Sequence, residues 1–198
     1  MNRLGINDEQ FIRGNIPMTK QEIRILILAN ARIRPDDTII DIGAGTGSIS
    51  IEAARQANNG QVYAIERQQE GVDLIRANAD KFKVNNITVI SGSAPQALDD
   101  LPLADVIIVG GSGGHLKKIL DKSDMLLKSD GRLIITAVTA ETLYNTLTIM
   151  QSNPNYSVSA SGVQVTRIKQ VGHSNMFEAL NPIYIIVCTK GGCNDKTR

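Results

Sequence analysis

The sequence predicts an α/β protein built on a doubly wound, mostly parallel seven-stranded sheet with an antiparallel strand at its C-terminal end. Three observations lead there. Short β-branched runs and helical runs alternate five times along the chain, the order that builds βαβ units and a parallel sheet. The run Ala104 to Val109 is almost wholly apolar, as a strand covered on both faces must be. No helical stretch separates the last two strand-like stretches, so these are expected to pair antiparallel.

Taken in order, residues 1–18 are irregular, with Phe11 and Ile12 as anchors. Thr19 is positioned to cap a helix while Glu22 reaches back to it, ahead of an apolar stripe of Ile23, Leu26, Ile27 and Ala31. Residues 1–35 thus form a cap segment and helix within one domain, 1–190. Pro35-Asp36-Asp37 turns the chain into a strand over Thr38 to Ile42. From Ser48 the period lengthens to that of a helix, with Ile49, Ala53, Ala54 and Ala57 on one face. Gln61 to Ile65 is the second strand and ends at Glu66. The run Glu70 to Phe82 has helical spacing, with Val72, Ile75, Ala79 and Phe82 inward, and Asn85-Asn86 breaks it. Strand three is Ile87 to Ile90, and strand four runs into Gly110-Gly111-Ser112-Gly113-Gly114. Helices over Leu116 to Leu127 and Glu141 to Met150 flank a strand over Gly131 to Val138. Tyr156 to Ile168 alternates as one strand, Ile183 to Thr189 is the last, and the polar tail 191–198 is expected to fray.

A chain of 198 residues with 42% hydrophobic content suits one well-cored domain. Its net charge of +1 leaves no footprint for sequence-independent nucleic-acid binding. No stretch looks like a secretory leader or a membrane span, so a cytoplasmic location is expected. Cys188, in an apolar run, and Cys193, in the tail, make no disulfide framework, and His115 and His173 stand apart, so no metal site is expected.

The chemistry concentrates on Asp41-Ile42-Gly43-Ala44-Gly45-Thr46-Gly47, a strand end, a glycine turn and a helix start. Glycines let the backbone approach a ligand closely, and the helix start offers free N–H groups. The dinucleotide fingerprint is G-x-G-x-x-G; here the third glycine comes one residue early. Asp41 is positioned to accept a hydrogen bond from a cationic amine or from the loop's own amides. Glu66, at the end of the next strand, suits the two hydroxyls of a ribose. Four glycines in the five positions 110–114 let a large ligand lie against bare backbone.

The pattern D-x-G-x-G-x-G resembles the first motif of the Rossmann-like class I S-adenosylmethionine-dependent methyltransferases. A narrower resemblance rests on Phe11-Ile12-Arg13, Ile16-Pro17-Met18-Thr19-Lys20, Asp41 to Gly47, Tyr63-Ala64-Ile65-Glu66-Arg67, Gly92 to Leu98 and Gly110 to Gly114. Together these are similar to the decarboxylating precorrin methyltransferase family of cobalamin biosynthesis, over residues 8 to about 190. The resemblance implies methylation of carbon 15 of cobalt-precorrin-6B with loss of the ring C acetate carboxyl. It implies that Gly43, Ala44, Gly45, Thr46 and Gly47 hold the methionine part of S-adenosylmethionine, Glu66 the ribose, and Ser93 with Ala94 the adenine, while Thr19 closes over the cofactor. Ser93 departs from the family, which usually shows Asp there. A substrate carrying several carboxylates calls for fixed cations; Arg13, Lys20, Arg167 and Lys169 are the candidates, with Ser112 beside them. The family also implies a homo-oligomer, expected as a tetramer, and leaves open whether a carbon-5 methylating partner associates.

Parts of the sequence also fit other enzyme classes. Asn181-Pro182-Ile183-Tyr184 superficially resembles the N-P-P-Y box of amino methyltransferases acting on flipped bases, but that box belongs after strand four. An RNA methyltransferase or a carboxyl methyltransferase of a protein or small molecule is the nearest alternative. A dinucleotide-dependent oxidoreductase would need the longer glycine spacing.

Overall fold

The structure, a computed structural model, describes residues 5–191. A 3-10 turn over Asp8–Gln10 and an extended stretch lead into α1 (Gln21–Ala31). There follow β1 (Thr38–Ile42), α2 (Ser48–Gln56), β2 (Gln61–Glu66), α3 (Gln69–Phe82), β3 (Ile87–Ser91) and β4 (Ala104–Val109). The chain continues through α4 (Leu116–Leu126), β5 (Leu127–Ala137) and α5 (Ala140–Gln151). Four strands complete it: β6 (Tyr156–Val163), β7 (Thr166–Val171), β8 (Ser174–Ala179) and β9 (Ile183–Lys190).

Seven strands form one sheet in the order β3-β2-β1-β4-β5-β9-β6. The first five are parallel, and β9 runs antiparallel to both β5 and β6. Alternation along each central strand feeds two apolar layers. Ile39, Val62, Val106, Ile108 and Ile134 pack with α1 and α2 on one face. Ile40, Ile42, Ile107, Val109, Leu133 and Ile135 pack with α4 and with Met150 of α5 on the other. From β1 the chain winds outward to β3, then crosses back to set β4 against the other side of β1. That reversal leaves a crevice at the carboxyl ends of β1 and β4.

Three expectations need correction. The helix over residues 21–31 is not capped by Thr19: Lys20 is the N-cap residue, with no side-chain cap bond, and Glu22 turns away to Arg167. The stretch 156–168 is two strands, because after Val163 pairs with Ile183 the chain leaves the sheet. Period-2 alternation continues into β7, which is why the break is invisible to pattern alone. Third, β7 pairs with β8 in a separate two-stranded ribbon that the sequence reading did not anticipate. Its two-residue turn, Gly172-His173, has Gly172 at φ 61, a conformation glycine adopts without strain. The tail beyond Gly191, with Cys193, lies outside the described residues.

A chain of charges holds the N-terminal segment down. Arg24, fully buried on α1, donates from Nε to Glu52 of α2 at 2.9 Å and from Nη1 to Asp8 at 2.8 Å. It also donates to the carbonyls of Thr19 and Ile6, and its guanidinium lies 4.8 Å over the Phe11 ring. Glu52 further accepts from the amides of Gly5 and Ile6. Asp8 in turn accepts from Arg167 of β7 at 3.2 Å, and Arg167 donates twice to Glu22. Burial works to raise the Asp8 carboxyl, but the bonds from Arg24 and Arg167 outweigh it and hold the group below its usual range. With every partner present the cluster is satisfied; removing the Arg24 guanidinium alone would leave Glu52 buried without its cation and Asp8 held by Arg167 only, a loss of about 3–5 kcal/mol.

Candidate active site

The crevice opens into a cavity of about 450 Å³. Its floor is the first glycine turn, Gly43 to Gly45, and its roof is Ile16 to Thr19. Glu66, Arg67 and Gln68 from the end of β2 make one wall, with Gly92, Ser93 and Ala94 beyond β3. Gly110 to Gly113 and His115 make the opposite wall, continued by Thr136, Val138 and Ile183.

Backbone bonds stitch these turns together. The amides of Gly43 and Ala44 both donate to the Ile65 carbonyl, at 2.9 and 3.0 Å, and the Gly110 amide donates to the Ile42 carbonyl at 2.9 Å. Gly43 and Gly45 sit at φ 74 and 58, where a side chain is strained. A Cβ on Gly43 would stand 3.0 Å from the Gly111 amide nitrogen, and one on Gly45 would stand 3.2 Å from the Pro17 carbonyl oxygen. Glu66 is buried and takes one amide on each oxygen: Gly45 at 2.9 Å on Oε2 and Gln68 at 2.8 Å on Oε1. A carboxylate oxygen has further lone pairs, so each oxygen keeps accepting capacity toward the cavity it lines.

Of the sequence candidates, Thr19, Gly43, Ala44, Gly45, Glu66, Ser93, Ala94 and Ser112 come together on this cavity. Asp41, Thr46 and Gly47 do not line it. Period-2 alternation turns Asp41 to the face of β1 that α2 covers, and its Oδ2 accepts from the Ser50 hydroxyl at 2.5 Å rather than from loop amides. Thr46 is buried, and its carbonyl accepts from Asn78 of α3. Gly47 is the N-cap of α2, where a Cβ would meet Ile75 of α3 at 3.1 Å; it lets two helices approach. Arg13, Lys20, Arg167 and Lys169 also lie off the cavity wall. Arg167 is engaged by two carboxylates, so its charge is already balanced.

The sequence reading missed Arg24, Asp8 and Glu52, which anchor the segment that forms the roof. It missed Asn78, which bonds both the Ile12 backbone and the Thr46 carbonyl and so ties that segment to the glycine turn. A polar residue at an inward position of a helical stripe was the signal for Arg24 and Asn78.

The precorrin methyltransferase domain family matches residues 10–190. The chain belongs to the precorrin methyltransferase family. A "Probable cobalt-precorrin-6B C(15)-methyltransferase (decarboxylating)" of Sulfurisphaera tokodaii is 40% identical over 185 residues, covering 92% of this chain and 95% of the relative. The enzyme of that name from Salmonella typhimurium is 36% identical over 186 residues, covering 93% of this chain and 96% of the relative. Among solved structures, a precorrin-6y C5,15-methyltransferase from Geobacter metallireducens superposes with a TM-score of 0.89 at 40% identity, covering 94% of this chain and 98% of that one. The sheet order and glycine turns described above are therefore those of a precorrin methyltransferase.

One feature behind the cavity is electrostatically unusual. Asp41 is 1% exposed and its Oδ1 has no partner among the described residues. Burial pushes its carboxyl up from 3.8 to about 6, against the lowering bond from Ser50. The native state thus binds a proton that the unfolded chain releases, so this contribution to stability is complete below 3.8 and is lost as the pH climbs through about 6. Asp41→Asn cannot titrate, so urea unfolding at acidic and neutral pH should show the native chain losing about 2–3 kcal/mol relative to the variant as pH rises. A difference that stays constant with pH would contradict it.

Proposed function

We propose that the protein is an S-adenosylmethionine-dependent methyltransferase of cobalamin biosynthesis, which methylates carbon 15 of cobalt-precorrin-6B and releases the ring C acetate carboxyl as carbon dioxide. The observation that carries this reading is a cavity walled by main chain at the switch point of a precorrin methyltransferase, in which side chains on Gly43 or Gly45 would strike backbone. Near full-length similarity to relatives named for that reaction supports the substrate.

The residues present fit the cofactor. Gly43, Ala44 and Gly45 offer close approach to its methionine part, Glu66 retains lone pairs for the ribose hydroxyls, and Ser93 with Ala94 flanks the adenine. Thr19, on the roof, covers it. When bound, S-adenosylmethionine supplies a methyl group on a good leaving group, so the chain's task is alignment rather than acid–base chemistry. Ile42, Ile49, Ile65 and Ile119 line the rear of the cavity with apolar surface that excludes water. On the open side, Gly110 to Gly113 presents backbone to a broad ring, with Ser112 as a hydroxyl contact for its carboxylates.

We also propose that the chain works as a homo-oligomer, expected as a tetramer, in the cytoplasm. The ribbon β7–β8 supports assembly: every residue of β8 is exposed, Phe177 by 81%, with Ile168, Val171 and Met176 beside it. Such a patch is expected to be covered. No helix among the described residues is long and apolar enough to cross a membrane.

Incubation with methyl-labelled S-adenosylmethionine and cobalt-precorrin-6B should yield a product that has gained one labelled methyl and lost carbon dioxide, read by mass spectrometry. Methyl gain without carbon dioxide loss, or no gain, would count against the assignment. Sedimentation equilibrium of the native chain should show an oligomer that Phe177→Asp shifts toward monomer; a native monomer would remove that proposal.

A further inference from the structure

The cavity wall holds few ionisable groups. Among the described lining residues they are Glu66, Arg67 and His115. Glu66 takes one amide on each oxygen, from Gly45 and Gln68, and keeps its remaining lone pairs for the ribose. Arg67 is exposed, and among the described residues no carboxylate or carbonyl accepts from it. Its guanidinium is nevertheless placed: a Cβ on Gly113 would stand 3.3 Å from Nη1. Arg67 therefore leans from the end of β2 across to the glycine turn after β4.

That turn is itself unsatisfied. The Gly110 amide is bonded to Ile42, and the His115 amide to Ser112. Between them, the N–H groups of Gly111, Ser112, Gly113 and Gly114 find no acceptor among the described residues. Around Gly111 and Gly114 a Cβ would meet nothing within 4 Å, so the space beside this turn is open, although the Gly111 nitrogen itself lies close to Gly43. Two other cations are already paired. Lys117, at the start of α4, reaches Asp121 at 2.8 Å, and Arg167 serves Glu22 and Asp8.

We propose that Arg67 is a specificity-determining residue that, with the free amides of Gly111 to Gly114, grips a peripheral carboxylate of the tetrapyrrole. This rests on the reaction proposed above, whose substrate carries several acetates and propionates. A guanidinium offers paired donors in one plane, which matches a carboxylate, and backbone amides supply neutral donors on the second side. The cation also balances the Glu66 charge on the same wall, so a polyanionic ring meets no net negative face there. Its place beside Glu66 sets the grip at the junction of the nucleoside and ring subsites, where it fixes the ring's approach.

The test uses the full native chain with Arg67→Gln and Arg67→Lys, reading equilibrium binding and KM for cobalt-precorrin-6B and, by calorimetry, binding of S-adenosylhomocysteine. Arg67→Gln should weaken tetrapyrrole binding about 10- to 100-fold while S-adenosylhomocysteine affinity changes by less than about twofold, the size expected for one lost charge-assisted pair. Arg67→Lys should recover part of the loss, and the native affinity should fall with added salt more steeply than that of Arg67→Gln. Unchanged tetrapyrrole binding in Arg67→Gln overturns the proposal, and so does an equal loss of S-adenosylhomocysteine binding, which would assign Arg67 to the nucleoside. A native chain that binds the tetrapyrrole, loses that binding in Arg67→Gln, yet turns nothing over would overturn the reaction and sustain the grip.

Discussion

The structure depends on one close approach, that of the turn after β1 to the turn after β4. With Gly111 nitrogen 3.0 Å from where a Gly43 Cβ would sit, the two turns touch through main chain, and no side chain fits between them. Parallel neighbours place both strand ends on one edge of the sheet, and reversal of the winding direction between β1 and β4 opens the edge at that point. Glycine then widens the opening into a cavity, because it removes the side chains that would otherwise fill it. Both turns are tied to the strands where they begin: the amides of Gly43 and Ala44 bond to Ile65, and that of Gly110 bonds to Ile42.

A cavity of this kind still needs a roof, and the roof comes from a segment with little regular structure. Residues 16–19 are held through polar contacts rather than through a helix or strand of their own. Arg24 binds the Thr19 carbonyl and Asp8, and Asn78 binds the Ile12 backbone. A buried ion pair returns little net stability compared with apolar packing of equal volume. What it supplies here is register: Arg24 Nε, Nη1 and Nη2 each meet fixed acceptors, with Nη1 serving both Asp8 and Thr19, so the segment has one place to lie. Arg167 extends the same cluster to the β7–β8 ribbon, and through it the roof and the exposed ribbon share Asp8.

The parallel core was legible because its signals are local. Almost wholly apolar runs such as 104–109, helical stripes such as Val72, Ile75 and Ala79, and the glycines after Ile42 each carry their own physical reason. Glu66, Ser93, Ala94 and Ser112 follow from topology, since every one stands at or just beyond the carboxyl end of a parallel strand. Illegible features were those decided by long-range partners. Asp41 reads as a ligand residue until the alternation of β1 is seen to turn it under Ser50. Arg167 reads as a free cation until the ribbon folds back onto Glu22 and Asp8, sequence neighbours of neither. Arg67 has the opposite history: it stands in a stretch that carries the family resemblance, but nothing local marks it as a ligand residue, and only the shared carboxyl edge of β2 and β4, on either side of β1, sets it over Gly113.

Bare main chain beside Glu66 is what we propose as the berth for a sulfonium nucleoside. The most direct measurement is a crystal structure of the chain with S-adenosylhomocysteine. It should show the ligand against Gly43 to Gly45, its ribose hydroxyls on Glu66 and its adenine beside Ser93 and Ala94. Density for the ligand elsewhere, or a saturated crystal with none between Gly45 and Glu66, would contradict it.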